Sequence, residues 1–287
     1  MDRREFLKTV CAAGGSAITL RQAIAAENGF KTEFKGVLVD TTRCIGCRSC
    51  EAACAETNAL PVPDIFNESV FEKERKTSET QWTVVNKYNT EKGIVFAKKQ
   101  CMHCSIPACA SACLTKAMYK TVEGPVIWRG QKCMGCRFCM ISCPFDMPKF
   151  EYNSPNPKIL KCVMCWERLN KNERPACVEA CPMNTLLFGN RRELIEEANS
   201  RIYSDPDKYI HHIYGEHEAA GTEWLYISPV PFEQLGFNID IGTTAYPELS
   251  KGFLYGVPIV LLLWPAFLTG ISYVTRREEI NSKGGRK

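Results

Sequence analysis

Histidine is scarce: the chain has only four. Three of them, His211, His212 and His217, share one stretch with no cysteine attachment motif beside it, so they read as surface histidines rather than haem or metal ligands. No Gly-x-Gly-x-x-Gly loop follows a strand pattern, and no Walker sequence occurs. A dinucleotide site and a phosphate-cradling loop are thereby excluded. Excess charge of one sign is also missing. A net charge of +4, spread along the chain, offers no basic face for nucleic acid. Long uncharged runs are rare, and only one is long enough to cross a bilayer.

The remaining composition is that of a folded protein of one or two domains, with 45% hydrophobic and 24% charged residues over a length of 287. Cysteine is the outlier, at 17 residues. Sixteen fall in four groups of four: Cys44-x2-Cys47-x2-Cys50-x3-Cys54, Cys101-x2-Cys104-x4-Cys109-x3-Cys113, Cys133-x2-Cys136-x2-Cys139-x3-Cys143 and Cys162-x2-Cys165-x11-Cys177-x3-Cys181. The first and third match the bacterial ferredoxin run, in which three close thiolates hold one [4Fe–4S] cube and the fourth reaches its neighbour. Sixteen ligands at four per cube give four [4Fe–4S] clusters. The gaps of four and eleven residues in the second and fourth groups, and Ala55 and Leu114 where proline would follow the last cysteine, are departures that leave the ligand count intact.

Zinc and disulfides are the competing uses of cysteine. A structural zinc site takes two distant Cys-x2-Cys knuckles, and three cysteines within seven residues suit that tetrahedron poorly. Disulfides would fit an exported chain by count but not by this spacing. No group is short of a cysteine, so the open iron site of a stand-alone catalytic iron–sulfur enzyme is not encoded.

The N-terminus, with Arg3-Arg4 before Phe6-Leu7-Lys8, a weakly apolar stretch and Ala23-Ile24-Ala25, predicts a twin-arginine signal peptide over 1–25. That export route carries folded proteins, which suits clusters inserted in a reducing cytoplasm. Cys11 would be lost with the signal. An iron–sulfur domain with a C-terminal extension is expected over 26–250. Within it, residues 36–40 predict a strand feeding the first ligand loop, and 82–88 with 93–98 a hairpin around Asn89–Lys92. A second hairpin, 118–122 with 126–128, turns at Glu123-Gly124-Pro125, and 186–188 closes the unit as a strand. Residues 191–201 predict a helix with Leu194, Ile195 and Ala198 on one side. The polar insertion 56–81, with its charge run 71–76, reads as solvated. Residues 202–250 show no periodicity and are expected to run along a partner subunit.

The uncharged run 253–274 would span roughly 33 Å at ~1.5 Å per residue, enough for the hydrocarbon core. Pro258 and Pro265 are tolerated in a membrane helix. Arg276, Arg277, Lys283, Arg286 and Lys287 follow it while only Lys251 closely precedes it. The positive-inside rule therefore puts the tail, 275–287, in the cytoplasm and the cluster domain on the periplasmic face of the inner membrane. The fold class expected is α+β: tandem bacterial two-cluster ferredoxin-like units with hairpin insertions, plus one C-terminal transmembrane helix.

With these motifs, the export signal and the apolar tail, the chain resembles the four-cluster ferredoxin-like electron-transfer subunits of bacterial respiratory enzymes. Among these it is most similar to the HybA-type iron–sulfur subunits of membrane-bound, periplasm-facing [NiFe] hydrogenases. Cys101-Met102-His103-Cys104, Ile213-Tyr214-Gly215-Glu216 and Pro229-Val230-Pro231-Phe232-Glu233 carry the likeness further. The resemblance implies that the first group pairs with the fourth and the second with the third. Cys44, Cys47 and Cys50 would share a cube with Cys181, and Cys162, Cys165 and Cys177 one with Cys54. Cys101, Cys104 and Cys109 would go with Cys143, and Cys133, Cys136 and Cys139 with Cys113. It implies as partners the small and large subunits of a [NiFe] hydrogenase and an integral-membrane quinone-reactive subunit. The chain itself would be an electron-transfer component with no catalytic residue. Arg48, His103, Lys132, Arg137, Lys161 and Trp166 lie where they could tune cluster potentials. The alternative is the β-subunit of a molybdenum or tungsten enzyme, such as formate dehydrogenase or a sulfur-compound reductase.

Overall fold

The computed structural model describes residues 33–284, with side chains described through 273. The expected signal peptide, Cys11 and the side chains of the basic tail lie outside the described residues. In chain order the elements are β1 (Lys35–Asp40), α1 (Ser49–Thr57), β2 (Val84–Thr90), β3 (Gly93–Lys99), α2 (Ala108–Ser111), β4 (Met118–Lys120), β5 (Val126–Trp128) and α3 (Phe138–Ile141). They continue with β6 (Lys149–Phe150), β7 (Ile159–Leu160), α4 (Trp166–Leu169), α5 (Ala176–Glu179), β8 (Leu186–Asn190), α6 (Arg191–Ser204), β9 (Trp224–Ile227) and α7 (Tyr246–Gly284).

The apolar run Val37-Leu38-Val39 explains why β1 is the central strand of its sheet. A strand points successive side chains to opposite faces, so three apolar residues in a row require cover on both. Val37 and Val39 join Trp224, Tyr226 and Leu186 on one face, while Leu38 meets Leu225, Ile227 and helix α6 on the other. All three valine and leucine side chains are buried. Each contributes roughly 1.5–3 kcal/mol by leaving water. Strand β8 pairs antiparallel to β1 with Leu38 opposite Leu187. Strand β9 pairs parallel to it with Leu38 opposite Leu225.

The 191–201 helix extends to Ser204, with Leu194, Ala198 and Ile202 buried. Ile202 continues the apolar stripe one turn, and Ile195 is only partly buried. The first strand pair closes on two residues, Glu91 and Lys92, rather than four, because Asn89 pairs with Ile94 and Thr90 with Gly93. The second has the longer connection, 121–125, held by Thr121 N–H donating to Pro125 O at 2.8 Å.

Two expectations are corrected. The stretch 202–250 does not simply run along a partner: it supplies β9 and an aromatic cluster, with Tyr214, Trp224, Tyr226 and Phe232 buried in this chain's own core. Parallel pairing to a strand some 185 residues earlier leaves no local periodicity to read. The charge run 71–76 is not wholly solvated either. Arg75 turns inward onto the buried carboxylate of Glu51.

Helix α7 begins at Tyr246, seven residues before the predicted span, and contains Pro258 and Pro265. Its part from Tyr246 to Tyr273 is long and apolar enough to cross a membrane, and Leu261, Leu262, Leu263 and Trp264 stand exposed.

Candidate iron–sulfur centres

Each cysteine group begins on a loop whose second cysteine follows a residue of positive φ: Gly46 at 73°, His103 at 51°, Gly135 at 73° and Met164 at 52°. That turn points the flanking thiols the same way, and glycine adopts it most cheaply. His103 and Met164 hold it with a side chain, at about 1 kcal/mol or more each. Both are buried, so packing supports the strain. In the first and third groups the residue after the second cysteine repeats as well, with Arg48 at φ 60° and Arg137 at φ 59° opening α1 and α3. Three residues past the last cysteine, Lys116, Asp146 and Asn184 again have positive φ. Their N–H groups donate back to the carbonyls of Cys113, Cys143 and Cys181. Helix α1 instead runs on to Thr57, where the Asn58 amide caps the Cys54 carbonyl at 2.8 Å.

The short helices set which groups meet. Helix α1 packs on α5, and α2 on α3. Around the first pair, Cys44, Cys47, Cys50 and Cys181 line one hollow. Cys54 faces Cys162, Cys177 and Cys165. Around the second pair, Cys104 faces Cys101, Cys143 and Cys109. Cys113, Cys133, Cys136 and Cys139 line another hollow. Neighbouring sets face each other through Cys50 and Cys177, then Cys162 and Cys101, then Cys109 and Cys139. The four sets thus lie in a row.

The donor chemistry fits iron–sulfur cubes. None of the sixteen described cysteines forms a disulfide. Among the described residues no three Cys, His, Asp or Glu side chains converge closely enough to hold a single ion, so the thiols stand around hollows and not on a point. Burial is the main cause of the raised pKa values of several of them. It pushes Cys44 to about 11, Cys143 to about 11, Cys109 to about 12 and Cys162 to about 12, with neighbouring thiols adding to the rise. Without a cation such thiols stay protonated, whereas a metal deprotonates them outright. Cys113 differs. Burial raises it, but N–H and hydroxyl donors from Met118, Thr115 and Ala117 outweigh that and hold it below the usual thiol range. The Met118 N–H lies 3.4 Å from its sulfur, and the Met164 N–H 3.3 Å from that of Cys162.

The six residues that could tune the potentials have different surroundings. Arg48 is buried against Glu51 at 3.0 Å and serves the fold. His103 is buried, with Nδ1 accepting the Val126 N–H at 2.9 Å. Burial first, then the charges of Lys161, Lys120 and Lys98, push its pKa well down, so the ring is neutral. Lys132 is exposed. Arg137 stacks over Phe150 at 5.2 Å. Trp166 is half-buried at the start of α4. Lys161 is buried among the thiols of two sets. His211, His212 and His217 are exposed, with His212 on Glu218 at 2.8 Å.

Sequence reasoning missed Lys98, which is 3% exposed and faces Cys177, Cys50, Cys162 and Cys54. The one available signal was alternation in β3. Lys98 and Lys99 point to opposite faces, so one of the two must turn inward. It also missed Glu223, a buried carboxylate that accepts from Lys120 at 2.7 Å and from Ser105 at 3.2 Å. Desolvation, the largest influence on each, raises Glu223 and lowers Lys120. That pair fastens the C-terminal extension to the loop carrying Cys104.

Comparison with known proteins accords with this geometry. Two family models, each for a 4Fe-4S dicluster domain, match residues 43–117 and 93–191. A protein of Nitratidesulfovibrio vulgaris is 48% identical over 97% of this chain and 78% of that one. The Hydrogenase-2 operon protein HybA of Escherichia coli O157:H7 is 34% identical over 98% of this chain and 97% of its own length. The formate dehydrogenase-O iron-sulfur subunit of Escherichia coli is 33% identical over 75% of this chain and 72% of its own. The chain belongs to this family of iron–sulfur electron-transfer subunits, and it carries four [4Fe–4S] clusters in its dicluster domains.

Proposed function

We propose that this chain relays electrons between a periplasmic [NiFe] hydrogenase pair, its small and large subunits, and an integral-membrane quinone-reactive subunit. The observation that carries the reading is the likeness to HybA, which runs through 98% of this chain, extension and apolar helix included. When bound, the four clusters supply one-electron redox chemistry. The thiolates of Cys44, Cys47, Cys50 and Cys181 hold the first, and those of Cys54, Cys162, Cys165 and Cys177 the second. Cys101, Cys104, Cys109 and Cys143 hold the third, and Cys113, Cys133, Cys136 and Cys139 the fourth. Backbone N–H groups such as those of Met118 and Met164 steady the sulfurs.

The chain's other parts place this relay. Residues 1–25 direct twin-arginine export, 26–250 form the cluster domain, 253–274 anchor it in the inner membrane, and 275–287 lie in the cytoplasm. Lys and Arg after the apolar run support that orientation. A single membrane helix does not enclose a quinone site, so the quinone chemistry belongs to a multi-span partner.

The second reading is the β-subunit of a formate dehydrogenase, favoured by the 33% identity to such a subunit over 219 residues. Mild-detergent isolation of the full chain with its partners, followed by metal analysis, decides between them. Nickel in the complex is the result expected. Molybdenum or tungsten without nickel overturns the hydrogenase reading.

A further inference from the structure

Lys98 and Lys161 are each 3% exposed, which lysine tolerates only beside a compensating negative charge. The oxygen atoms to which they donate are neutral. Lys98 Nζ donates to Gln100 Oε1 at 2.7 Å and lies 4.5 Å from the centre of the Trp224 ring. Lys161 Nζ donates to the carbonyl oxygens of Val126 and Cys162 and to the sulfur of Cys101. The groups they face that become negative are the cysteines, as thiolates once iron is bound. Lys98 faces Cys50 of the first set and Cys54, Cys162 and Cys177 of the second. Lys161 faces Cys162 of the second and Cys101 and Cys109 of the third. Each lysine therefore sits at a junction. Lys161 reaches the third-set side of the last junction at Cys109, but among the described residues no lysine or arginine acts on Cys139 of the fourth set across it.

Lys98 is also held in place from a distance. Gln100 Nε2 donates to the Tyr226 hydroxyl, which donates in turn to the Lys98 carbonyl at 3.0 Å. Tyr226 and Trp224 both lie on β9. The C-terminal extension thus fixes the position of this ammonium group.

We propose that Lys98 and Lys161 place permanent positive charge at the first two of the three junctions, raising the reduction potentials of the first three clusters relative to the fourth. Reduction adds an electron, so a nearby cation stabilises the reduced state more than the oxidised one. A unit charge a few ångströms away in a protein interior is enough to change a one-electron equilibrium tenfold. The inference rests on the assignment of the cysteines to four clusters given above.

The test is redox-poised paramagnetic resonance on the full chain in its detergent-solubilised complex, comparing the unsubstituted protein with Lys98→Met and Lys161→Met. Each variant should lower two of the four potentials by a tenfold equilibrium shift or more, ~59 mV for one electron. One of the lowered potentials should be common to both variants, and one potential should move in neither. Lys98→Gln, which removes the charge and keeps a polar side chain, should act as Lys98→Met does and serves if the methionine variant does not assemble. Unmoved potentials, or all four shifting together, would overturn the inference. Iron and sulfide counts on the unsubstituted protein report separately on the four-cluster reading, since a shortfall there refutes the assignment and not the charge effect.

Discussion

The guanidinium of Arg75 donates to both oxygens of Glu51, at 2.6 and 3.2 Å, joining the polar insertion to the helix that carries Cys50 and Cys54. The same carboxylate accepts the Val85 N–H at 2.6 Å and the Gln81 amide at 2.9 Å, with Arg48 at 3.0 Å on its other side. Its side chain is fully buried. Three segments distant in sequence therefore meet on one charge.

Removing that charge leaves Arg48 buried without its partner. Glu51→Ala should destabilise the chain by about 3–5 kcal/mol, the usual cost of breaking a buried ion pair from one side. Urea unfolding of the cluster-loaded protein measures it. A loss below ~1 kcal/mol, typical of exposed pairs, would show that the network does not hold the insertion in place.

Gly46 and Gly135 occupy the same place in the repeat, both at φ 73°, but their surroundings differ. A Cβ at Gly46 would come within 2.5 Å of the Phe96 ring, and one at Gly135 meets nothing within 4 Å. Gly135→Ala should cost about 1 kcal/mol, the strain of a left-handed residue alone. Gly46→Ala should cost roughly 1–3 kcal/mol more through overpacking. Thermal melts of the two variants side by side test the difference, and equal losses would contradict it.

Iron removal should make stability depend on pH. In the metal-free fold the thiols of Cys44, Cys109, Cys143 and Cys162 lie at about 11 to 12, above the ordinary 9.0 of the unfolded chain. A raised folded pKa means that the folded state binds the proton more tightly. The stability is intact below pH 9 and falls as pH rises, because the unfolded chain ionises first. The slope is roughly 1.4 kcal/mol per pH unit for each such thiol. Melting of the stripped chain between pH 8 and 10 should show that fall, and the cluster-loaded protein should not, since its sulfurs carry iron at every pH.

Much of the site was legible because cluster ligation is local. Cys44, Cys47 and Cys50 sit on one loop, so their spacing carries their role without knowledge of the fold. The same holds for β1, where three consecutive apolar residues imply cover on both faces. Lys98 and Glu51 were not legible. Each is an ordinary charged residue in the sequence, and its function comes from groups 24 to 79 positions away, Arg75 for Glu51 and Cys177 for Lys98. The extension was opaque for the same reason. Trp224 and Tyr226 belong to a strand whose partner, Val37 to Val39, lies near the other end of the chain.

The central claim is that the last cysteine of each group serves the neighbouring set, and Cys54 gives the most direct test of it. Paramagnetic spectra of Cys54→Ser, Cys162→Ser and Cys44→Ser should be compared on the full chain. The account predicts that Cys54→Ser perturbs the same cluster signal as Cys162→Ser and leaves intact the signal that Cys44→Ser removes. Loss of the Cys44 signal in Cys54→Ser, with the Cys162 signal unchanged, would contradict it.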